Sequence, residues 1–327
     1  MEEHEDAQYC FPDQNSSCRK ASLSTSIYIT LYIFIALISA VTVFLNVLVI
    51  ISVSHFKKLH TPTNLLILSL AVADFLVGLI VIPVVAVTLM ESCWFYGKYF
   101  CVISLYINYL CLSLSMGNLI LISIDRYVAV CDPLKYHSKI TITRIIGCIS
   151  ITWCCCIIYN AVILNNYVNM KVPRQCLEEC FVVVGFIWRS IIDILFSSVI
   201  PCSIIITLYL KIFVVARSQA RKVFIKEPAT KSGVKTVQSN KSERKAAKTL
   251  AIVVFTYLTC WIPIFFIQFF SHQSSVSLSF LPCVNSLINP IIYAFFYPWF
   301  KVTAKHILTL NNDSSYCFFH LHFHLNC

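Results

Sequence analysis

The chain has 327 residues, of which 58% are hydrophobic and only 12% carry a charge. Such a composition excludes an ordinary soluble domain and indicates a protein solvated mainly by lipid. The formal net charge of +10 does not require a nucleic-acid partner, because membrane proteins gather lysine and arginine on their cytoplasmic side.

Seven apolar segments follow one another along the chain, each long enough to cross a bilayer core as about 20 helical residues. Their length and continuity favour helices over the short alternating strands of a membrane barrel. The sequence therefore predicts an all-α membrane protein, a seven-transmembrane helix bundle with a short amphipathic helix after the seventh span. The first to seventh spans cover roughly residues 28–53, 64–90, 100–124, 145–167, 181–213, 249–271 and 276–299.

Lysine and arginine fall mainly on one side of these spans, and ten of them lie in one polar segment at about 217–248. Cytoplasmic loops collect these residues, so this segment is the predicted third cytoplasmic loop and residues 1–27 are predicted to be extracellular. The seven-helix domain then covers 28–299, and 300–327 form a cytoplasmic tail. Because the amino-terminal segment lacks a basic stretch followed by an apolar core, we expect the first span to act as an uncleaved anchor.

Six cysteines lie in or beside the segments expected outside the cell: Cys10, Cys18, Cys93, Cys101, Cys176 and Cys180. An even number in an oxidising compartment predicts three disulfides, although spacing alone leaves their pairing open. Asn15 opens an Asn-Ser-Ser sequon on the same side and is a predicted glycosylation site. The sequons at Asn240 and Asn312 are expected to face the cytoplasm and to stay unmodified.

Six polar side chains within the apolar spans are candidates for a buried cluster: Asn46, Asp74, Ser115, Asn285, Ser286 and Asn289. Burying each of them alone is costly, whereas as a cluster they can satisfy one another or bind a small cation. Hydrogen bonding between helices without any ion is the alternative interpretation.

A second polar group, Asp125-Arg126-Tyr127, stands at the cytoplasmic end of the third span. An arginine at a membrane boundary needs an anion. Asp125 beside it and Glu243 before the sixth span are both candidates.

These residues give the chain a family resemblance. It resembles rhodopsin-like, class A G-protein-coupled receptors through LNVLVI, LAVADF, Cys101, Asp125-Arg126-Tyr127, Trp153, Pro201, the CWIP motif at 260–263 and the NPIIY motif at 289–293. More narrowly, it resembles trace amine-associated receptors through ERKAAKTL, NPIIYAFFYPWF, ESCWFYG and the cysteine-bearing amino terminus.

The resemblance implies roles for matching residues. Arg126 is expected to engage the G protein when active and to be held by Asp125 and Glu243 at rest. Tyr209 and Tyr293 are expected to move on activation, and Trp261 to lie beneath the ligand. A sodium pocket of the family is matched by Asp74, Ser115, Asn285, Ser286 and Asn289. Asn289 with Pro290 also belongs to the switch. The implied disulfides are Cys101–Cys180, Cys10–Cys176 and Cys18–Cys93.

Two positions depart from the family's usual relay between the pocket and the cytoplasm. Met116 stands where a β-branched residue is commoner, and Tyr257 where phenylalanine is commoner. The coupling between ligand and G protein is therefore predicted less firmly by the resemblance than the fold is.

The family's usual amine site is missing from this chain. The resemblance places an aspartate seven residues after the third-span cysteine, where this sequence has the neutral Asn108, and a tyrosine where it has Cys283. Asp193 is the predicted replacement. It lies eight residues before Pro201, about 12 Å along the fifth helix, which places it level with the predicted ligand pocket. Some family members carry an aspartate there and use it for amines.

The alternative, purely structural interpretation of Asp193 is an ion pair with Arg189, four residues earlier on the same helical face. We favour the ligand-binding interpretation because Arg189 lies nearer the outer surface and can reach water, whereas Ser197 adds a polar contact one turn deeper. Tyr109, Leu112, Trp261 and Phe265 are the other predicted pocket walls, where aromatic faces suit an ammonium. Glu178 and Glu179 are either a second anionic point or, more simply, solvated loop charges.

The prediction is a plasma-membrane receptor for a biogenic or trace amine, olfactory and placed in neuronal cilia. It would signal through a stimulatory or olfactory heterotrimeric G protein to cyclic AMP. Membrane lipid is expected to surround it, and no nucleic-acid partner or enzymatic activity is expected. The one expected cofactor is an allosteric sodium ion. An orphan receptor for a non-amine ligand is the alternative. A membrane transporter is disfavoured because the sequence shows no convincing internal repeat.

Overall fold

The structure is a computed structural model that describes most of the bundle. It covers 24–90, 94–168, 199–225, 255–260 and 281–309, together with Cys10, Leu195, Ile252, Ile262 and Pro263. The helices of these residues are α1 (Thr25–His55), α2 (Pro62–Leu76), α3 (Ile82–Met90), α4 (Gly97–Cys131), α5 (Pro133–Lys139), α6 (Ile142–Val168), α7 (Ile200–Ile225), α8 (Leu281–Phe296) and α9 (Pro298–Thr309).

Four helical segments are long and apolar enough to cross a membrane: Thr25–His55, Pro62–Thr88, Tyr99–Cys131 and Ile142–Asn165. They correspond to the first four predicted spans. Shorter apolar helices at Ile200–Val215 and Cys283–Phe296 lie in the predicted fifth and seventh spans. The described part of the chain contains helices and no strand, so the predicted fold class is confirmed.

The second span is a continuous helix with a local change of pitch. Thr61 begins it, since its Oγ1 accepts a hydrogen bond from the Asn64 N–H at 3.2 Å and Pro62 fits the first helical position without a lost donor. A π-helical turn, Val77–Val81, joins α2 to α3. Pro83 follows it and cannot donate to the carbonyl four residues earlier, so the regular ladder is interrupted here.

Helix α4 lies at the centre of the described bundle and packs against α2, α6 and α7. By contrast, α1 contacts α2, α3, α8 and α9, and much of its remaining surface consists of exposed apolar side chains. Only 11% of the apolar window of α6 is buried, compared with 61% for the second span. The exposed apolar faces of α1 and α6 are therefore the surfaces that lipid covers.

Helix α4 meets α6 closely at Gly117. A Cβ atom built on Gly117 would lie only 2.6 Å from the Thr152 Cγ2 atom. Real Cβ contacts do not approach so closely, so glycine at this position lets the third and fourth spans pack against each other.

The third span is longer than its apolar window. Hydropathy ends at about residue 124, whereas α4 continues to Cys131 and includes Asp125, which is fully buried. Charge alone does not end a helix when the charged groups have partners. Helix α9 begins at Pro298 and has the expected amphipathic character, with Trp299, Phe300 and Thr303 buried and Lys301 and Lys305 exposed.

Candidate functional site

A buried carboxylate, Asp74, joins three helices in the middle of the bundle. Its side chain is fully buried. Oδ1 accepts hydrogen bonds from Ser286 Oγ at 2.7 Å and from Ser115 Oγ at 3.4 Å, and Oδ2 accepts one from Asn289 Nδ2 at 2.8 Å. The structure thus brings together four of the five residues proposed as a sodium pocket, from α2, α4 and α8.

The proline of α8 explains how α1 joins this group. Pro290 lies inside α8 and has no N–H, so the carbonyl oxygen of Ser286, four residues earlier, lacks its usual helical partner. The buried side chain of Asn46 on α1 donates to this oxygen from Nδ2 at 3.1 Å. A break in one helix is therefore satisfied by a side chain from another.

Side-chain oxygen atoms of three buried asparagines in these helices remain available as acceptors. Among the described residues, Asn46 Oδ1, Asn285 Oδ1 and Asn289 Oδ1 are buried and accept no hydrogen bond. Hard cations are bound by carboxylate and amide oxygens. The donor set of Asp74, Asn285 and Asn289 therefore fits a small cation in its chemistry.

The second polar group lies near the carboxyl-terminal end of α4. Arg126 donates to Asp125 Oδ2 from Nε at 2.9 Å and from Nη2 at 2.6 Å. The Asp125 side chain is fully buried and the Arg126 side chain is only 15% exposed. The two charges therefore neutralise each other in a site that is nearly closed to water. Glu243, the other proposed partner, lies outside the described residues.

Thr63 and Tyr136 complete this group and were missed by sequence reasoning. Thr63 Oγ1 donates to Asp125 Oδ2 at 2.9 Å and accepts from Arg126 Nη2, while the Tyr136 hydroxyl donates to Asp125 Oδ1 at 2.8 Å. Thr63 belongs to the first turn of α2, and Tyr136 lies on α5, which Pro133 begins. Burial raises the pKa of the Tyr136 hydroxyl, and the charge of Asp125 raises it further, so it remains a donor.

Three other proposed switch residues, Tyr127, Tyr209 and Tyr293, lie on α4, α7 and α8. The hydroxyls of Tyr209 and Tyr293 are buried and have no hydrogen-bond partner among the described residues. Both rings pack in the main apolar cluster, which also contains Met116 and Tyr257, the two departures from the family pattern. Tyr127 is partly buried, and Lys211 Nζ lies 6.0 Å from its ring centroid.

The predicted ligand pocket is described only in part. Asn108 and Leu112 are partly buried on α4, and Tyr109 is 46% exposed. Cys283 is buried in an apolar cluster with Cys111 and residues of the first two spans. Outside the described residues lie Asp193, Ser197, Trp261, Phe265, Arg189, Glu178 and Glu179.

Two of the six cysteines predicted to be extracellular are described, and both of these, Cys10 and Cys101, are disulfide-bonded. The pairings remain predictions, because Cys18, Cys93, Cys176 and Cys180 lie outside the described residues. Asn15, the proposed glycosylation site, also lies there.

The family model for seven-transmembrane receptors of the rhodopsin family matches residues 45–293. This stretch includes every residue of both polar groups. The chain therefore belongs to the rhodopsin family of seven-transmembrane receptors. It is a multi-pass membrane protein and a receptor, not an enzyme.

Individual relatives narrow the assignment. The chain is 37% identical to Trace amine-associated receptor 13c of Danio rerio and 38% identical to Trace amine-associated receptor 6 of Pan troglodytes, each match covering 94% of both proteins. It is 37% identical to Trace amine-associated receptor 1 of Macaca mulatta, over 94% of this chain and 97% of the relative. It is a member of the trace amine-associated receptor family, which confirms the resemblance found in its motifs. Membership implies a small-molecule ligand and a heterotrimeric G protein as partners.

Proposed function

We propose that this receptor detects a protonated amine and binds its ammonium group through Asp193. One observation carries the proposal: the only carboxylates in the seven apolar spans are Asp74 and Asp193. The oxygens of Asp74 already accept hydrogen bonds from Ser115, Ser286 and Asn289. Asp193 is therefore the one intramembrane acid left for a ligand.

The positions of Ser115 and Asn108 along α4 also support assigning Asp74 to the buried cluster and Asp193 to the ligand. Ser115, which contacts Asp74, lies seven residues beyond Asn108, a rise of about 10 Å along the helix. Asn108 is neutral and offers a weaker hydrogen bond to an ammonium than a carboxylate does. A cation bound at the level of Asn108 thus needs an acid from another helix, and the fifth span carries Asp193.

We propose a stimulatory or olfactory G protein as the partner, with cyclic AMP as the messenger. Arg126 is engaged by Asp125 and Thr63. We interpret this as the resting arrangement, from which release of Arg126 would accompany coupling. The receptor would lie in the plasma membrane, including the cilia of olfactory neurons, with its amino terminus outside. The basic third cytoplasmic loop would face the G protein and anionic lipid.

Sodium is proposed as an allosteric ion of the Asp74 group. Asp74, Asn285 and Asn289 would hold it, with Ser115 and Ser286 beside them. When bound, the ion supplies a positive charge that compensates the buried carboxylate. The residues themselves link α2, α4 and α8, so an ion that favours their resting arrangement opposes activation.

A cyclic AMP reporter in cells with matched surface expression tests the amine proposal. Native receptor and the variants Asp193→Asn, Asp193→Glu and Arg189→Gln are exposed to a panel of mono-, di- and polyamines. The expected result is a response from the native chain, its loss in Asp193→Asn, partial retention in Asp193→Glu and retention in Arg189→Gln. Asp132→Asn, at a carboxylate outside the spans that pairs with Lys139 at 2.9 Å, is the matched control.

Other outcomes separate the alternatives. Equal losses in Asp193→Asn and Arg189→Gln, with normal surface levels, would support a structural ion pair. If the native receptor responds to no amine but does respond to a neutral odorant, the result would support the alternative of an orphan receptor for a non-amine ligand. That second candidate is favoured by one observation, the apolar surroundings of Cys283, where the family has a pocket tyrosine.

A further inference from the structure

A groove of about 420 Å³ opens between the cytoplasmic end of α4 and the middle of α7. We call it the α4–α7 groove. It lies far from the predicted amine pocket, because Cys131 is the last residue of α4. Its lining residues are Tyr127, Cys131, Leu210, Lys211, Val214 and Val215.

The groove faces the membrane. Leu210 and Val214 are 61% and 65% exposed, and both lie within the apolar segment Ile200–Val215. Exposed apolar side chains in a membrane span are the surface that acyl chains cover. The wall of the groove is therefore suited to hydrocarbon.

Lys211 is the exception on this wall. Its side chain is exposed, and its Nζ lies 6.0 Å from the centroid of the Tyr127 ring. The ion pairs within the described part of the chain are Arg126–Asp125 and Lys139–Asp132, so no described carboxylate pairs with Lys211. It lies six residues before Arg217, a rise of about 9 Å toward the apolar core.

A cation at this depth needs an anion or a route to the headgroup region. The cytoplasmic leaflet supplies both, because it is rich in anionic phospholipid. We propose that the α4–α7 groove binds one anionic phospholipid of the cytoplasmic leaflet. Its phosphate pairs with Lys211, and an acyl chain lies against Leu210 and Val214.

This lipid site is positioned to influence coupling. Tyr127 lines the groove and directly follows Arg126 in α4, while Leu210 directly follows Tyr209 in α7. A lipid held between α4 and α7 favours the arrangement in which these helices present the groove. The proposal concerns a site separate from the amine pocket and does not depend on the identity of the ligand.

Photocrosslinking in nanodiscs tests the proposal with the full-length receptor. Discs of phosphatidylcholine contain a small fraction of diazirine-labelled phosphatidylserine or, in parallel, diazirine-labelled phosphatidylcholine, and labelled peptides are mapped by mass spectrometry. We expect the serine probe to label the groove peptides about fivefold more than the choline probe, the preference that one lysine near an anionic headgroup provides. Lys211→Gln is expected to abolish the preference. Lys301→Gln, which removes a lysine 6.0 Å from the Phe295 ring outside the groove, is expected to leave it intact.

A second pair of variants tests the groove itself and remains informative if Lys211→Gln expresses poorly. Val214→Trp fills the groove and is expected to reduce labelling by both probes, whereas Phe213→Trp, at an exposed residue outside the lining, should not. Equal labelling by both probes in the native receptor would overturn the proposal, as would a preference that survives Lys211→Gln. Competition by water-soluble glycerophosphoserine at the concentration of the probe would show that the site recognises the headgroup without its acyl chains, which also contradicts the lipid assignment.

Discussion

At the scale of single residues, Asp125 is held by partners from three parts of the chain. Arg126 is its neighbour in α4, Thr63 comes from α2 and Tyr136 from α5. The Asp-Arg-Tyr motif predicted only the first of these contacts. The other two depend on how α2 and α5 pack, and a single hydroxyl residue near a loop gives no periodic signal in the sequence.

Removal of the Tyr136 hydroxyl is expected to raise basal activity. Tyr136→Phe deletes a hydrogen bond to a carboxylate, a contact of about 1.5–3 kcal/mol, and so weakens the arrangement that holds Arg126. Basal cyclic AMP at matched surface expression is the measurement. Ser138→Ala on the same helix is the control, because among the described residues that hydroxyl bonds the Lys135 carbonyl alone, at 2.9 Å. Unchanged basal activity in Tyr136→Phe would show that the contact does not restrain Arg126.

Loss of the Asp74 charge is expected to abolish sensitivity to sodium. In the native receptor, replacing choline chloride with sodium chloride should lower agonist affinity about fivefold, the lower end of typical allosteric coupling. Asp74→Asn should show the same affinity in both salts, because the amide offers no charge to the cation. Asp132→Asn should keep the sodium effect. A native receptor indifferent to sodium would leave the Asp74 group as a purely structural link between helices.

At the scale of helices, the described bundle is organised around α4. This helix contacts α2 through Asp74, α5 through Tyr136 and α6 through Gly117. Hydropathy predicted that the helix exists but ended it about seven residues early, since it treats Asp125 and Arg126 as solvent-seeking. Their mutual pairing lets the helix continue. The π-helical turn in the second span was also not predicted, because it depends on local backbone geometry before Pro83.

The α4–α6 contact gives a stability prediction. Gly117→Ala places a methyl group 2.6 Å from Thr152 Cγ2, and overpacking of this kind costs about 1–3 kcal/mol. A lower thermal unfolding midpoint of the detergent-solubilised receptor is therefore expected. Adding Thr152→Ser, which removes the opposing methyl group, should restore much of the loss.

The matched control for this prediction is Gly147→Ala on α6. A Cβ atom there meets nothing within 4 Å among the described residues, and alanine is the better helix former. The control should leave the midpoint unchanged or raise it. Equal effects of the two alanine substitutions would mean that helix propensity, not the contact with Thr152, governs both positions.

At the scale of the whole molecule, sequence reasoning predicted the seven-span bundle and the family because both depend on patterns that repeat along the chain. Apolar length defines the spans, and motif order defines the family. The ligand pocket could not be predicted in the same detail. Its chemistry depends on which side chains from different helices face one another, and Asn108 and Cys283 show only that the family's usual pair is absent.

The predicted orientation can be tested through glycosylation. Asn15 lies on the expected extracellular side, whereas the sequons at Asn240 and Asn312 lie in the predicted third cytoplasmic loop and tail. Peptide N-glycosidase F should increase the mobility of the native receptor on a gel and have no effect on Asn15→Gln. Asn240→Gln and Asn312→Gln should behave like the native chain. A glycan on either of the latter two asparagines would reverse the assigned orientation.

The Asp74 group also has a consequence for the order in which the protein is made. Asp74 lies in the second span, but Ser286 and Asn289, its two shortest contacts, lie in the last one. Asn46 in the first span likewise cannot donate to the Ser286 carbonyl until the last span is present. During synthesis the early spans therefore carry a carboxylate whose closest partners have not yet entered the bilayer, and a polar group without partners is costly there. Arrival of the seventh span completes the set, so the same contacts that organise the finished receptor also distinguish it from an unfinished chain.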